Sequence, residues 1–197
     1  MTKLAFVGES WGAEEEEASR KAGRATPLVG ASGRLFNSLL NTIGIERSIN
    51  RAPSSGKITI SQPANVLVTN VFNIHPERNE VKRLFVPRKG SDPDWPALER
   101  GKYLDPGLRP QLDRLFAELA AFRPDCIIAM GNAALWALCK VTGIMARRGC
   151  WHTAVIAGRT VPVIPTVHPA FILRKFVWIV LAVSDFKKAA AVAAGKL

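Results

Sequence analysis

Leu4-Ala5-Phe6-Val7-Gly8-Glu9-Ser10-Trp11-Gly12 decides how this chain folds. Four apolar residues run without polar alternation into a turn bounded by two glycines. A short continuous apolar run reads as a strand buried on both faces, as in a parallel sheet covered by helices. The glycines let the backbone turn sharply and approach a ligand, with the Glu9 carboxylate between them. Three more runs repeat the pattern at 65–69, 126–130 and 161–166, ending at Asn70, Gly131 and His168-Pro169. Helical periods lie between them at 32–43, 108–122 and 132–141, and from Val183 onward. Alternation of this kind predicts an α/β fold: a three-layer α/β/α sandwich around a central four-stranded parallel sheet, with residues 1–197 as one domain. Ligands in such folds collect at the carboxyl ends of the strands, so the four strand-end peptides become candidates for one site.

Other segments are less regular. Residues 51–63 read as a loop, and 86–106, with Pro87, Pro93, Pro96 and Pro106, carry too much punctuation for regular elements. The acidic run 14–17 reads as a solvated helix start, where carboxylates suit the positive end of the helix dipole.

The 197 residues carry 27 Lys and Arg against 16 Asp and Glu, a net charge of +11, with 48% hydrophobic and 22% charged residues. That balance excludes a disordered basic tail and favours a polyanionic partner over a small neutral ligand. Three cysteines without a Cys-x-x-Cys pair make neither a disulfide framework nor a standard zinc module. No secretory or membrane-spanning run is legible, so a soluble, cytoplasmic protein without membrane association is expected, in a bacterial or a virus-infected cell.

Each strand-end peptide allows specific chemistry. Gly8 to Gly12 offers a carboxylate and close backbone N–H groups. Pro27-Leu28-Val29-Gly30-Ala31-Ser32-Gly33 places Ser32 as a helix N-cap beside glycines that admit an anion. Asn70, in Thr69-Asn70-Val71-Phe72, pairs a donor with an acceptor and matches the imide edge of a pyrimidine such as uracil. His168, in Thr166-Val167-His168-Pro169-Ala170-Phe171-Ile172-Leu173-Arg174, can donate to a leaving-group oxygen. Any one of these is an ordinary turn; the four together, in order, are not.

Together they resemble the uracil-DNA glycosylase superfamily, and most the iron–sulfur, thermostable-type branch, over almost the whole chain from Gly8 to Arg174. The resemblance implies a DNA repair glycosylase that flips uracil out of DNA and hydrolyses its N-glycosidic bond, leaving an abasic site. It implies that Glu9 positions water or stabilises the sugar cation and that His168 stabilises the departing base. Gly8, Ser10, Trp11, Gly12, Leu28, Asn70 and Phe72 would surround uracil. Ser32, Arg147, Arg148, Pro169, Phe171, Ile172 and Arg174 would meet DNA, with Phe171, Ile172 and Leu173 as candidates for an apolar wedge, Ile172 and Phe171 ranked equally ahead. The chemistry agrees: bond cleavage develops positive charge on the sugar and negative charge on the base, which a carboxylate and a donor stabilise in turn. The expected partner is uracil-containing DNA, bound by a monomer.

Three departures stand out. Leu28 occupies the place of a stacking phenylalanine, which leaves Trp11 or Phe72 to replace it or weakens base binding. Ser10-Trp11 replaces Ala-Pro. Ile74 stands where a cluster cysteine is expected, and none lies near Lys102-Tyr103, so no metal and no cofactor is expected. These departures keep open an alternative, a catalytically weakened module that binds DNA or a protein. A small-molecule nucleotide enzyme is a third class, disfavoured by the basic surface.

Overall fold

The apolar runs pair as neighbours in one sheet. In the computed structural model, which describes residues 2–197, the chain begins with β1 (Leu4–Ser10), α1 (Ala13–Ala22) and α2 (Ala31–Asn41). A hairpin of β2 (Ser48–Arg51) and β3 (Ile58–Ser61) leads to β4 (Val66–Phe72), and a small pair, β5 (Phe85–Val86) and β6 (Tyr103–Leu104), leads to α3 (Arg109–Phe122). Then follow β7 (Cys126–Met130), α4 (Asn132–Cys139), α5 (Ile144–Arg147), β8 (His152–Ile156), β9 (Arg159–Thr166), α6 (Pro169–Arg174) and α7 (Ile179–Ala193).

The main sheet has the order β4-β1-β7-β9-β8. The first four strands are parallel, as expected, but β8 adds a fifth, antiparallel to β9. Its sequence signal was the turn Ala157-Gly158, where both residues take positive φ (47° and 77°), the conformation that matches the twist of a two-residue hairpin. The stretch 51–63, expected as loop, also contains strand: Ile58 to Ser61 pairs antiparallel with Ser48 to Arg51. No helix among the described residues is long and apolar enough to cross a membrane.

Two apolar layers clamp the sheet. On one side the rings of Phe6, Phe36 and Phe186 meet at 5.2–6.1 Å between centroids. On the other, Phe72, Phe85, Trp136 and Trp95 form a continuous chain of contacts at 4.8–5.8 Å. Each such buried ring contributes about 1.5–3 kcal/mol of transfer free energy. The strands are thus fixed from both faces, and what remains open is their carboxyl edge.

Candidate functional site

At that edge lies a cavity of about 630 Å³, lined by residues from all four expected peptides, although the one at 27–33 joins α1 to α2 and follows no strand. Glu9, Ser10, Trp11 and Gly12 come from the turn after β1, and Leu28 and Ser32 from the start of α2. Asn70 comes from β4, and His168, Phe171 and Arg174 from the segment after β9.

Gly8 does not itself line the cavity but packs beside two side chains that do. A Cβ there would lie 2.2 Å from Asn70 Oδ1 and 3.6 Å from His168 Nε2, so only glycine lets these two side chains meet over the backbone. Asn70 is 1% exposed and its Oδ1 has no partner. An orphan acceptor this deep costs free energy unless a ligand satisfies it. The strand behind it is held by Arg114, which donates to the carbonyls of Asn70 (2.7 Å) and Val71 (3.0 Å) and pairs with Glu118.

His168 caps α6. The Ala170 N–H donates to its Nδ1 at 3.2 Å, which places the ring proton on Nε2, the nitrogen nearest Gly8. Burial pushes the imidazole below its ordinary value; Glu9 and Glu15 oppose the shift and Arg174 adds to it. A neutral ring with an Nε2–H is a hydrogen-bond donor that carries no charge before reaction.

Glu9 is fixed across the sheet. Its Oε1 accepts from the Ala133 N–H at 3.0 Å, at the start of α4. Gly131, with φ of +95°, makes room for it, because a Cβ there would lie 2.6 Å from Oε1. The turn at Gly131, where the third apolar run ends, thus holds the carboxylate.

The Leu28 loop is held with equal care. Leu28 is buried at φ of 55°, a strained conformation for a non-glycine residue. Its carbonyl accepts from Arg47 (3.1 Å), and Arg47 also reaches the Pro27 carbonyl (2.8 Å) and Asn37 (2.9 Å). Burial lowers Arg47 to about 10, so it remains a cation at neutral pH. Gly33 lets α2 approach, since a Cβ would lie 2.0 Å from the Leu28 oxygen. Arg47 and Arg114 had no legible signal as loop and strand anchors, because the carbonyls they bind are distant in sequence.

Several expectations change. Phe72 does not line the cavity; it is fully buried at the end of β4, where its ring meets Phe85 edge-on at 5.8 Å. Trp11 does line the cavity. Ile172 and Pro169 are buried under α6 and face the core rather than DNA, whereas Phe171 lines the cavity and Leu173 is exposed. Arg148 is engaged by the buried Asp185, while Arg147 and Arg174 remain exposed. Ser32 is not the cap of α2; the N-cap is Gly30, two residues earlier. Within the acidic run Glu15 is buried, not solvated, and accepts from the N–H groups of Gly12 (3.0 Å) and Val29 (3.2 Å).

The cysteines do not fit a four-thiolate cluster. There are three in the chain: Cys126 is buried on β7, Cys139 ends α4, and Cys150 is exposed before β8. Burial pushes the Cys126 and Cys139 thiols up to about 12, so neither is a ready thiolate. Among the described residues no group of three or more His, Cys, Asp or Glu side chains is placed to hold a metal ion.

Comparison with known proteins points to one family. The family model described as the uracil DNA glycosylase superfamily matches residues 1–190. A type-4 uracil-DNA glycosylase of Pyrobaculum aerophilum is 28% identical over 175 residues, covering 86% of this chain and 67% of that protein. Another, of Archaeoglobus fulgidus, is 27% identical over 192 residues, covering 94% of this chain and 74% of that protein.

Proposed function

Because the chain belongs to the uracil DNA glycosylase superfamily, we propose that it excises uracil from DNA by hydrolysing the N-glycosidic bond. The observation that carries this reading is the convergence on one cavity of Glu9 from β1, Asn70 from β4 and His168 from the segment after β9, with Asn70 and His168 beside Gly8. The base must leave the helix stack to enter such a site. There the Asn70 amide pairs with the imide edge, and its orphan Oδ1 accepts the ring N–H. The His168 Nε2–H donates to the carbonyl oxygen on which negative charge grows as the bond breaks. Glu9, held by the Ala133 N–H, faces the sugar, where it orients water and stabilises the developing cation. Atoms balance simply: water adds its hydroxyl to the sugar carbon, and its proton ends on the departing base.

Trp11 and Leu28 enclose the base in place of a phenylalanine at position 28. Arg147 and Arg174 contact phosphates, and Phe171 with Leu173 fills the gap left by the flipped base. No lysine is among the residues that line the cavity, which favours hydrolysis over an amine-dependent lyase step.

A cleavage panel under enzyme excess tests this, using single- and double-stranded oligonucleotides that carry uracil, hypoxanthine or xanthine. Uracil release is expected, with Glu9→Gln slowing it by about 10²–10⁴-fold and His168→Ala by about 10²–10³-fold while DNA affinity is retained. Absence of release by the wild type with every base, together with intact DNA binding, would leave a binding module instead.

A further inference from the structure

Asp185 lies on α7 and is 2% exposed. A carboxylate this deep requires donors, and it has them: Thr166 Oγ1 at 2.8 Å, Arg148 Nε at 3.0 Å, and a second bond from Arg148 Nη2. The same Arg148 Nη2 reaches the Leu181 carbonyl at 2.9 Å. Gly149 packs against the carboxylate with φ of +69°, and a Cβ there would lie 2.7 Å from Asp185 Oδ1. Its N–H donates to the Pro165 carbonyl at 2.8 Å, and its own carbonyl accepts from Lys188 Nζ at 2.7 Å.

Thr166 is the last residue of β9, two positions before His168. Its hydroxyl is bound by Asp185, and its carbonyl accepts the Gly131 N–H at 2.9 Å. Gly131 in turn opens the space for the Glu9 carboxylate. One residue therefore anchors both sides of the cavity. A buried ion pair adds little stability over a well-packed apolar cluster of the same size, so mere attachment of α7 to the sheet explains this network poorly. A fully satisfied polar network does fix one geometry.

We propose that Asp185 is a positioning residue: through Thr166 it sets the end of β9, and with it the placement of His168 and of the turn that holds Glu9. This rests on the reading of Glu9 and His168 as the reacting groups. Thr166→Val removes the hydroxyl bond at nearly constant shape and leaves the Arg148–Asp185 pair intact, and Thr166→Ser restores the hydroxyl.

Single-turnover excision, DNA affinity and thermal midpoint are measured for wild type, Thr166→Val, Thr166→Ser and Asp185→Asn. Thr166→Val is expected to slow excision by about 10- to 100-fold with unchanged affinity, as a small misplacement of reacting groups does, and Thr166→Ser to recover it. Wild-type excision by Thr166→Val, or a loss that Thr166→Ser shares, overturns the proposal. If the wild type excises no base, the functional reading falls by itself. Positioning is then judged on the His168 ring nitrogens by NMR: a change in Thr166→Val that is absent in Thr166→Ser supports it, and identical spectra overturn it.

Discussion

The turn after β1 and the segment after β9 face each other across one cavity and are built by opposite means. Around Gly8 to Gly12, each functional side chain occupies space that a Cβ would fill: Asn70 over Gly8, Glu15 over Gly12, and Glu9 over Gly131. Around His168 to Lys175 no glycine is present; the imidazole is held by its own helix start, Ile172 anchors the helix from below, and Leu173 and Phe176 stand in solvent. The first region is a rigid polar mould and the second a presenting surface. A base needs the former for recognition, and a duplex needs the latter for entry.

The sharpest way to break the mould is Gly131→Ala. Its Cβ would collide with Glu9 Oε1, and excision is expected to fall by about 10²-fold in a single-turnover assay. Gly158→Ala is the control. It carries similar strain at φ of +77° with nothing within 4 Å. It should lose about 1–2 kcal/mol of stability and keep its excision rate. Equal rate losses in both variants would mean that strain, not placement of Glu9, is what matters.

The presenting surface divides into anchor and tip. Ile172→Ala is expected to cost about 2–5 kcal/mol in denaturant unfolding, because a fully buried side chain leaves a cavity. Leu173→Ala should change stability by less than about 0.5 kcal/mol yet slow excision from duplex more than from single-stranded DNA. The reverse ranking would return Ile172 to the role of wedge.

A smaller effect reports on the protonation of His168. Unfolded, its ring titrates near ~6.5, and burial in the native state holds it lower. Between those values the unfolded chain binds the extra proton, so stability is present above about pH 6.5 and declines as pH falls through that window. His152 is shifted the same way by burial and Arg147, so only a variant isolates the contribution. His168→Asn supplies a capping oxygen in place of Nδ1 and should show a shallower loss of stability from about pH 7 to about pH 5. Equal slopes would exclude a buried, neutral His168.

The parallel strands, the α/β class and the gathering of Glu9, Asn70 and His168 were legible because they depend on local chemistry: continuous apolar runs, and polar residues placed directly after them. Trp11 against Phe72, Ile172 against Phe171, and the engagement of Arg148 were not. Each depends on which face of an element turns outward, and that is set by partners distant in sequence. β8 escaped because an edge strand with one buried face has a weak pattern, Ala154 and Ile156 alone being buried.

By itself, the sequence determined which chemical groups meet at the strand ends, since a strand's end and the turn after it are local matters. Only the tertiary structure decided how those groups are held. Arg47, Arg114 and Asp185 bind loop carbonyls, strand carbonyls and a strand-end hydroxyl from other elements. A buried charge finds its partners only after the chain has folded around it.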